Sequence, residues 1–180
     1  MPVTLPILVV VSGPAGTGKT TLAHRLAGAI GCPAICRDEI KEGMVLTAQP
    51  ASAEERQTLQ LRTLDVFFEV LRILLEQEVT VVAEAAFQDQ VWSPRLAALA
   101  AIAEIKVVQC HTTPGTAWAR LESRGNARGA HDDRALLEAH GSATHFYESF
   151  SRLALAAPSI DVDTTDGYRP SLGVLIEFVT

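Results

Sequence analysis

The sequence has little of what marks a secreted, membrane-spanning or nucleic-acid-coating protein. It holds three cysteines, Cys32, Cys36 and Cys110. They cannot all pair with one another and follow no zinc-like repeat, which excludes a disulfide framework and points to reduced thiols in a cytoplasmic setting. Long hydrophobic runs are missing: the longest uninterrupted apolar stretch covers residues 96–103, far short of the roughly 20 residues that cross a bilayer. Positive charge is not in excess. A formal charge of −6 argues against long-range capture of nucleic acid and leaves a local basic groove or, more easily, a small anionic ligand.

What is present suits one domain over residues 1–180, since a chain of this size buries roughly 70% of its unfolded surface around a single core. Hydrophobic residues make up 48% and charged residues 20%, ordinary globular usage. Residues 5–11 are a β-branched apolar run without the Lys or Arg of a signal peptide, read as a buried strand. Residues 19–30 place Leu22, Ala23, Leu26, Ala27 and Ile30 at helical spacing. A short strand follows over 34–36, and Asp38 is placed to cap a helix through Ile40, Met44 and Val45. The longest helix is expected over 53–77, with Leu61, Leu64, Phe68, Leu71 and Leu75 as its buried stripe. A strand over 79–83 ends at Glu84, and a loop over 85–92 leads to a helix over 93–103, with Pro94 in its first turn.

A fourth strand is expected over 105–110 and a helix over 113–124. The polar segment 125–133, rich in Gly, Arg and His, reads as a mobile flap. Helical pattern resumes over 134–155 with a break near Gly141, then a strand over 159–162 and a closing helix over 170–179. Alternating strands and helices imply a three-layer α/β/α architecture with a mostly parallel five-stranded sheet. Ligands of such sheets bind beyond the carboxyl ends of the strands, where Gly13, Asp38, Glu84 and His111 all fall.

Gly13-Pro14-Ala15-Gly16-Thr17-Gly18-Lys19-Thr20 fits G-x-x-x-x-G-K-[ST]. Glycines let such a loop wrap, its N–H groups point inward, and the following helix terminus adds positive potential. Lys19 supplies a point charge and Thr20 a hydroxyl for Mg²⁺, so ATP with Mg²⁺ is the expected ligand. No Asp-x-x-Gly or Asn-Lys-x-Asp element accompanies the loop, which argues against a guanine-specific switch. The strand ending at Glu84 also lacks the paired acids typical of motor ATPases.

The P-loop, Arg37-Asp38-Glu39-Ile40-Lys41, the strand to Glu84 and Arg120-Leu121-Glu122-Ser123-Arg124 together resemble the small P-loop kinases. Within them the sequence is most similar to the AAA-33 branch, which holds the polynucleotide 5′-hydroxyl kinase domain, chloramphenicol phosphotransferase and the zeta-toxin kinases. The resemblance implies a P-loop NTPase fold with a small lid at about 120–134. It also implies transfer of the γ-phosphoryl group of ATP to a hydroxyl of a small-molecule or nucleoside-like acceptor. A polynucleotide 5′-hydroxyl kinase, or a non-catalytic nucleotide-binding regulatory module, is the alternative. Asp38 resembles the base that accepts the acceptor's proton, against a plain N-cap role. Arg37 stands where relatives carry a small residue, and either recruits an anionic substrate or points to solvent.

The resemblance further makes Lys41 an acceptor contact or part of a solvated helix face. Glu84 occupies the position of an aspartate that orients Mg²⁺ or acceptor, and whether Glu84 or Asp38 does so is open. Arg120, Arg124 and Arg128 recur every four residues, so on one helix they would share a face. They look like a lid in which Arg120 and Arg124 meet the nucleotide, Arg124 catalyses and Arg128 faces the acceptor, with Gly125 and Gly129 as hinges. His131 would approach when the flap closes. Met44, Phe87 and Trp92 either wall an acceptor pocket or pack in the core. His24, His140 and His145 have no carboxylate or cysteine at metal spacing and read as surface or core residues. Cys110 and His111 border the site; Asp161, Asp163 and Thr164 read as turn caps near the adenine. The acceptor's identity and the oligomeric state stay open.

Overall fold

The structure, a computed structural model, describes residues 5–124 and 138–180. Its elements run β1 (Ile7–Ser12), α1 (Lys19–Ile30), β2 (Ala34–Cys36), α2 (Arg37–Ala48), α3 (Ala53–Glu76), β3 (Val81–Glu84), α4 (Asp89–Leu99), β4 (Glu104–His111), α5 (Pro114–Arg124), α6 (Ala143–Glu148), β5 (Ser159–Asp163) and α7 (Leu172–Val179). The five strands form one sheet in the order β2-β3-β1-β4-β5, with every neighbouring pair parallel. The expected three-layer fold is therefore present.

Alternation along β1 builds both cores. Leu8 and Val10 face a cluster with Phe67, Leu71, Phe87 and Leu96 from the α3 and α4 side. Val9 and Val11 face Leu22, Leu26, Val108 and Leu175 from the α1 and α7 side. All four β1 residues are fully buried, as a central parallel strand covered on both faces requires. Among the described residues, no helix is long and apolar enough to cross a membrane.

Helix α3 starts at a capping box, in which Ser52 Oγ accepts from Glu55 N while Glu55 reaches back to the backbone of Ser52. Its buried row is Leu59, Thr63, Phe67, Leu71 and Leu75, which keeps Leu71 and Leu75 of the expected stripe but not Leu61, Leu64 or Phe68. Leu61 is 62% exposed, and Leu64 and Phe68 only flank the core. Thr63 hid the true row from a hydrophobic pattern. Its hydroxyl is satisfied inside the helix, donating to Leu59 O at 2.8 Å, so a polar residue sits in the buried face without leaving an unmet hydrogen bond.

Two other boundaries differ from expectation. Helix α4 begins at Asp89 and encloses Pro94, because Phe87 and Trp92 are drawn into an aromatic cluster with Phe67 and Phe68. The helical pattern over 134–155 does not persist to Leu155. After α6, Leu153 is buried and its carbonyl accepts from Gln109 Nε2 at 2.7 Å, a tether to β4 that replaces a helical bond. The proposed flap at 125–133, and most of the lid at 120–134, lie outside the described residues.

Replacing Phe67 by Ala is expected to cost about 3–5 kcal/mol of stability in urea unfolding, whereas Leu61→Ala changes it by no more than about 0.5 kcal/mol. The reverse order would mean that α3 buries its other face.

Candidate active site

The loop between β1 and α1 is pressed into place from two sides. Gly13 has φ 149° and Gly16 φ 81°. A Cβ on Gly13 would lie 2.4 Å from Cys110 O, and one on Gly16 2.4 Å from Ala117 O, so only glycine lets the loop approach β4 and α5 this closely. Thr17 closes the turn, its N and Oγ1 both donating to Pro14 O. Helix α1 then begins at Lys19 with no side-chain cap and no acid in its first turn, leaving the positive end of the helix for an anion.

Glu84 lies beneath this loop. Parallel pairing sets it opposite Val11 on one side and Cys36 on the other, and it is 1% exposed. Thr20 Oγ1 donates to its Oε2 at 3.0 Å. Lys19 Nζ stands 3.8 Å from Oε1 and 3.4 Å from Pro14 O. Oε1 has no hydrogen-bond partner among the described residues. Burial pushes the Glu84 carboxyl above the usual range and the Asp38 charge adds to the rise, while Lys19, Thr20 and the Cys36 thiol oppose it. A buried, unpartnered carboxylate oxygen beside the P-loop hydroxyl is a donor set that suits a hard cation such as Mg²⁺.

Asp38 lies in the first turn of α2, whose N-cap position belongs to Cys36; the N-cap reading of Asp38 is thereby corrected. Its Oδ1 accepts from Arg37 Nη1 at 3.2 Å. Arg37 is turned toward Asp38 with its side chain 16% exposed, and its Nε is buried without a hydrogen-bond partner among the described residues. It does not point to solvent. Lys41 is held below the usual lysine range by burial first and by Arg37 second, with Asp38 and Glu42 opposing.

On the other side, Arg120 and Thr164 hold the loop. Arg120 donates to Gly16 O at 3.3 Å through Nη1, and to Thr164 O at 2.7 Å and Thr165 O at 3.1 Å through Nη2. The Thr164 hydroxyl lies 2.6 Å from Thr17 O and 3.0 Å from His111 O, joining the P-loop to the ends of β4 and β5. Asp163 Oδ1 accepts from Thr165 N, the turn-capping role expected. The threonine after Asp163 was the available sign of this anchor, but nothing in its spacing tied it to the P-loop.

The fold thus brings Gly13 through Thr20, Glu84, Asp38 and Arg120 to one sheet edge. Arg124 ends α5, and Arg128 and His131 lie outside the described residues. Phe87 and Trp92 are core residues, 0% and 8% exposed with ring centroids 4.8 Å apart. Met44 Sδ meets Thr63 Oγ1 between α2 and α3. His111 does border the loop, lining a cavity of about 210 Å³ with Pro14, Gln109, Cys110 and Tyr147. His24 does have partners, contrary to expectation: Glu39 Oε1 at 2.7 Å and Cys36 Sγ at 3.6 Å, brought to it by the β2–α2 junction rather than by sequence spacing.

Sheet order, loop and edge define a P-loop protein with a kinase-like fold. A match to the family described as AAA domain covers residues 8–147, and the chain belongs to that family. A kinase candidate from Chloroflexus aurantiacus j-10-fl shares the fold at TM-score 0.83 and 23% identity, over 98% of this chain and 97% of that one. A sugar kinase from Janibacter sp. HTCC2649 does so at TM-score 0.56 and 19% identity, over 97% and 91%. A chain of the Pnkp1/Rnl/Hen1 RNA repair complex gives TM-score 0.63 and 15% identity, over 82% of this chain and 46% of that one. No curated protein matches the sequence.

The raised Glu84 carboxyl sets a sign for stability. Ionising it costs more in the folded than in the unfolded chain, so the penalty appears as pH rises above the ordinary value of 4.5. Glu84→Gln is expected to raise the melting temperature of the nucleotide-free protein at neutral pH, with the gain narrowing as pH falls toward 4.5. A gain constant across that range would place its cause elsewhere.

Proposed function

We propose that the chain is an ATP- and Mg²⁺-dependent phosphotransferase that moves the γ-phosphoryl group to a hydroxyl of a small-molecule or nucleoside-like acceptor. Its finer place is the branch that includes chloramphenicol phosphotransferase and the zeta-toxin kinases. The observation that carries this reading is the buried Glu84, with one oxygen in ion-pair contact with Lys19 but without a hydrogen bond among the described residues, the other bonded to Thr20, and with Asp38 close enough to raise its pKa.

In this reading the backbone of residues 13–20 wraps the phosphates, and Lys19 exchanges Pro14 O and Glu84 for phosphate oxygens. Thr20 and Glu84 would hold Mg²⁺. Held there, it would offset the charge of the phosphates. Asp38 Oδ takes the proton of the acceptor hydroxyl as general base, and Arg37, bonded to the same carboxylate, orients it. Lys41 lies one helical turn beyond Asp38 and contacts the acceptor. Arg120 spends its donors on Gly16, Thr164 and Thr165 carbonyls, which keeps the loop in phosphate-binding shape on the nucleotide side. Arg124 belongs to the lid and stabilises the transferring group, with Arg128 toward the acceptor. The reduced cysteines fit a cytoplasmic protein.

Fold likeness to a sugar kinase supports a small acceptor. Likeness to a chain of an RNA repair complex favours a second reading, a polynucleotide 5′-hydroxyl kinase, against which the charge of −6 counts. ADP release measured with nucleosides, sugars, aminoglycoside-like antibiotics and 5′-hydroxyl oligonucleotides separates them. A small hydroxyl acceptor is expected to stimulate release, and Lys19→Ala to abolish it. Stimulation by oligonucleotides alone, falling steeply with salt, would establish the second reading. ATP binding without any acceptor stimulation would instead make the chain a nucleotide-binding regulatory module.

With an acceptor in hand, Asp38→Asn is expected to lower turnover about 10²- to 10⁴-fold while ATP affinity, read by calorimetry, holds. Unchanged turnover would remove Asp38 as the base.

A further inference from the structure

We propose that His24, Cys36 and Glu39 form a binding site for a thiophilic divalent cation, Zn²⁺ foremost, separate from the Thr20–Glu84 pair. The three donors come from three elements: the middle of α1, the last residue of β2 and the first turn of α2. Their ligand atoms all lie within 4.8 Å of one another. Tetrahedral Zn²⁺, with Zn–S near 2.3 Å and Zn–N near 2.0–2.1 Å, sets sulfur and nitrogen about 3.6 Å apart. Cys36 Sγ and His24 Nε2 are 3.6 Å apart already.

Glu39 Oε1 sits closer to His24 Nε2, at 2.7 Å. Ligands around one ion would hold these two atoms about 3.3 Å apart, a small opening for a side chain that is 50% exposed. Cys36 forms the floor at 2% exposure, and His24 and Glu39 form the rim at 49% and 50%. The ion has an entry path, and its fourth position faces water. A donor set of thiolate, imidazole and carboxylate suits Zn²⁺, whereas Mg²⁺ and Ca²⁺ select oxygen alone.

Binding forms a metal–Sγ bond and breaks the Cys36 S–H bond, releasing the proton to solvent; no electrons change hands. An ion here would tether α1, which begins at Lys19 and Thr20, to the first turn of α2, which carries Asp38. A metal-free hydrogen-bonded cluster, Glu39 and the Cys36 thiol both on His24 Nε2, accounts for the same distances but forms no metal–sulfur bond, and that difference is measurable.

The test is titration of the reduced, full chain with Co²⁺, followed by Zn²⁺. One equivalent of Co²⁺ is expected to give the near-ultraviolet charge-transfer band of a cobalt–thiolate bond, with the strong visible absorption of a tetrahedral ion, and Zn²⁺ is expected to displace both. Cys36→Ser removes the band, while Cys32→Ser keeps it. His24→Ala and Glu39→Gln alter half-exposed side chains and leave the fold intact, yet each weakens Zn²⁺ binding by about tenfold or more. The proposal is overturned if no band forms at millimolar Co²⁺, if it survives Cys36→Ser, or if both rim variants bind Zn²⁺ as tightly as the original chain. None of these readouts depends on the phosphotransferase reading.

Discussion

A carboxylate held out of water next to a lysine is the constraint around which this molecule is arranged. Parallel pairing of β3 between β1 and β2 carries Glu84 to 1% exposure, where an ionised acid is costly unless other groups compensate. Lys19 and Thr20 compensate in part, through a contact of 3.8 Å and a hydrogen bond of 3.0 Å, and among the described residues Oε1 stays without a hydrogen bond. The loop therefore holds an imbalance: a lysine leaning on the acid that a cation would take over, beside a helix end that suits an anion. In the proposed reading, joint arrival of phosphate and cation would resolve both halves and give ligand binding an electrostatic gain that neither brings alone.

The rest of the edge serves to keep that imbalance in shape. Gly13 and Gly16 allow the loop to touch Cys110 O and Ala117 O closely. Arg120 and Thr164 bind its carbonyls from β5 and α5. A loop fixed by backbone contacts from three elements loses little freedom on meeting phosphate, and positioning of this kind supplies much of the catalysis in phosphoryl transfer. Arg120 illustrates the point: the arginine expected to meet the nucleotide also holds the carbonyls of Gly16, Thr164 and Thr165.

The fold was legible because its signals are local. The P-loop motif, the strand–helix alternation and the carboxyl-edge positions of Asp38 and Glu84 follow from spacing along the chain. What was not legible depends on packing between distant segments. A satisfied threonine masked the buried row of α3, and aromatic packing with Phe67 lengthened α4 and took Phe87 and Trp92 into the core. The carbonyl of Leu153, caught by Gln109, ended a helical pattern early. His24 acquired two partners only when β2 and α2 folded against α1. Apart from the Thr63 bond inside α3, the deciding contact in each case lies across the tertiary structure, where periodicity carries no information.

The account's central claim, that Glu84 with Thr20 makes a cation and ATP bind together, is tested most directly by calorimetric titration of ATP with and without Mg²⁺, in the original chain and in Glu84→Gln. The account predicts that Mg²⁺ tightens ATP binding to the original chain about tenfold or more, a coupling of about 1.4 kcal/mol, and that Glu84→Gln removes most of this difference. Equal tightening by Mg²⁺ in both proteins would contradict the claim.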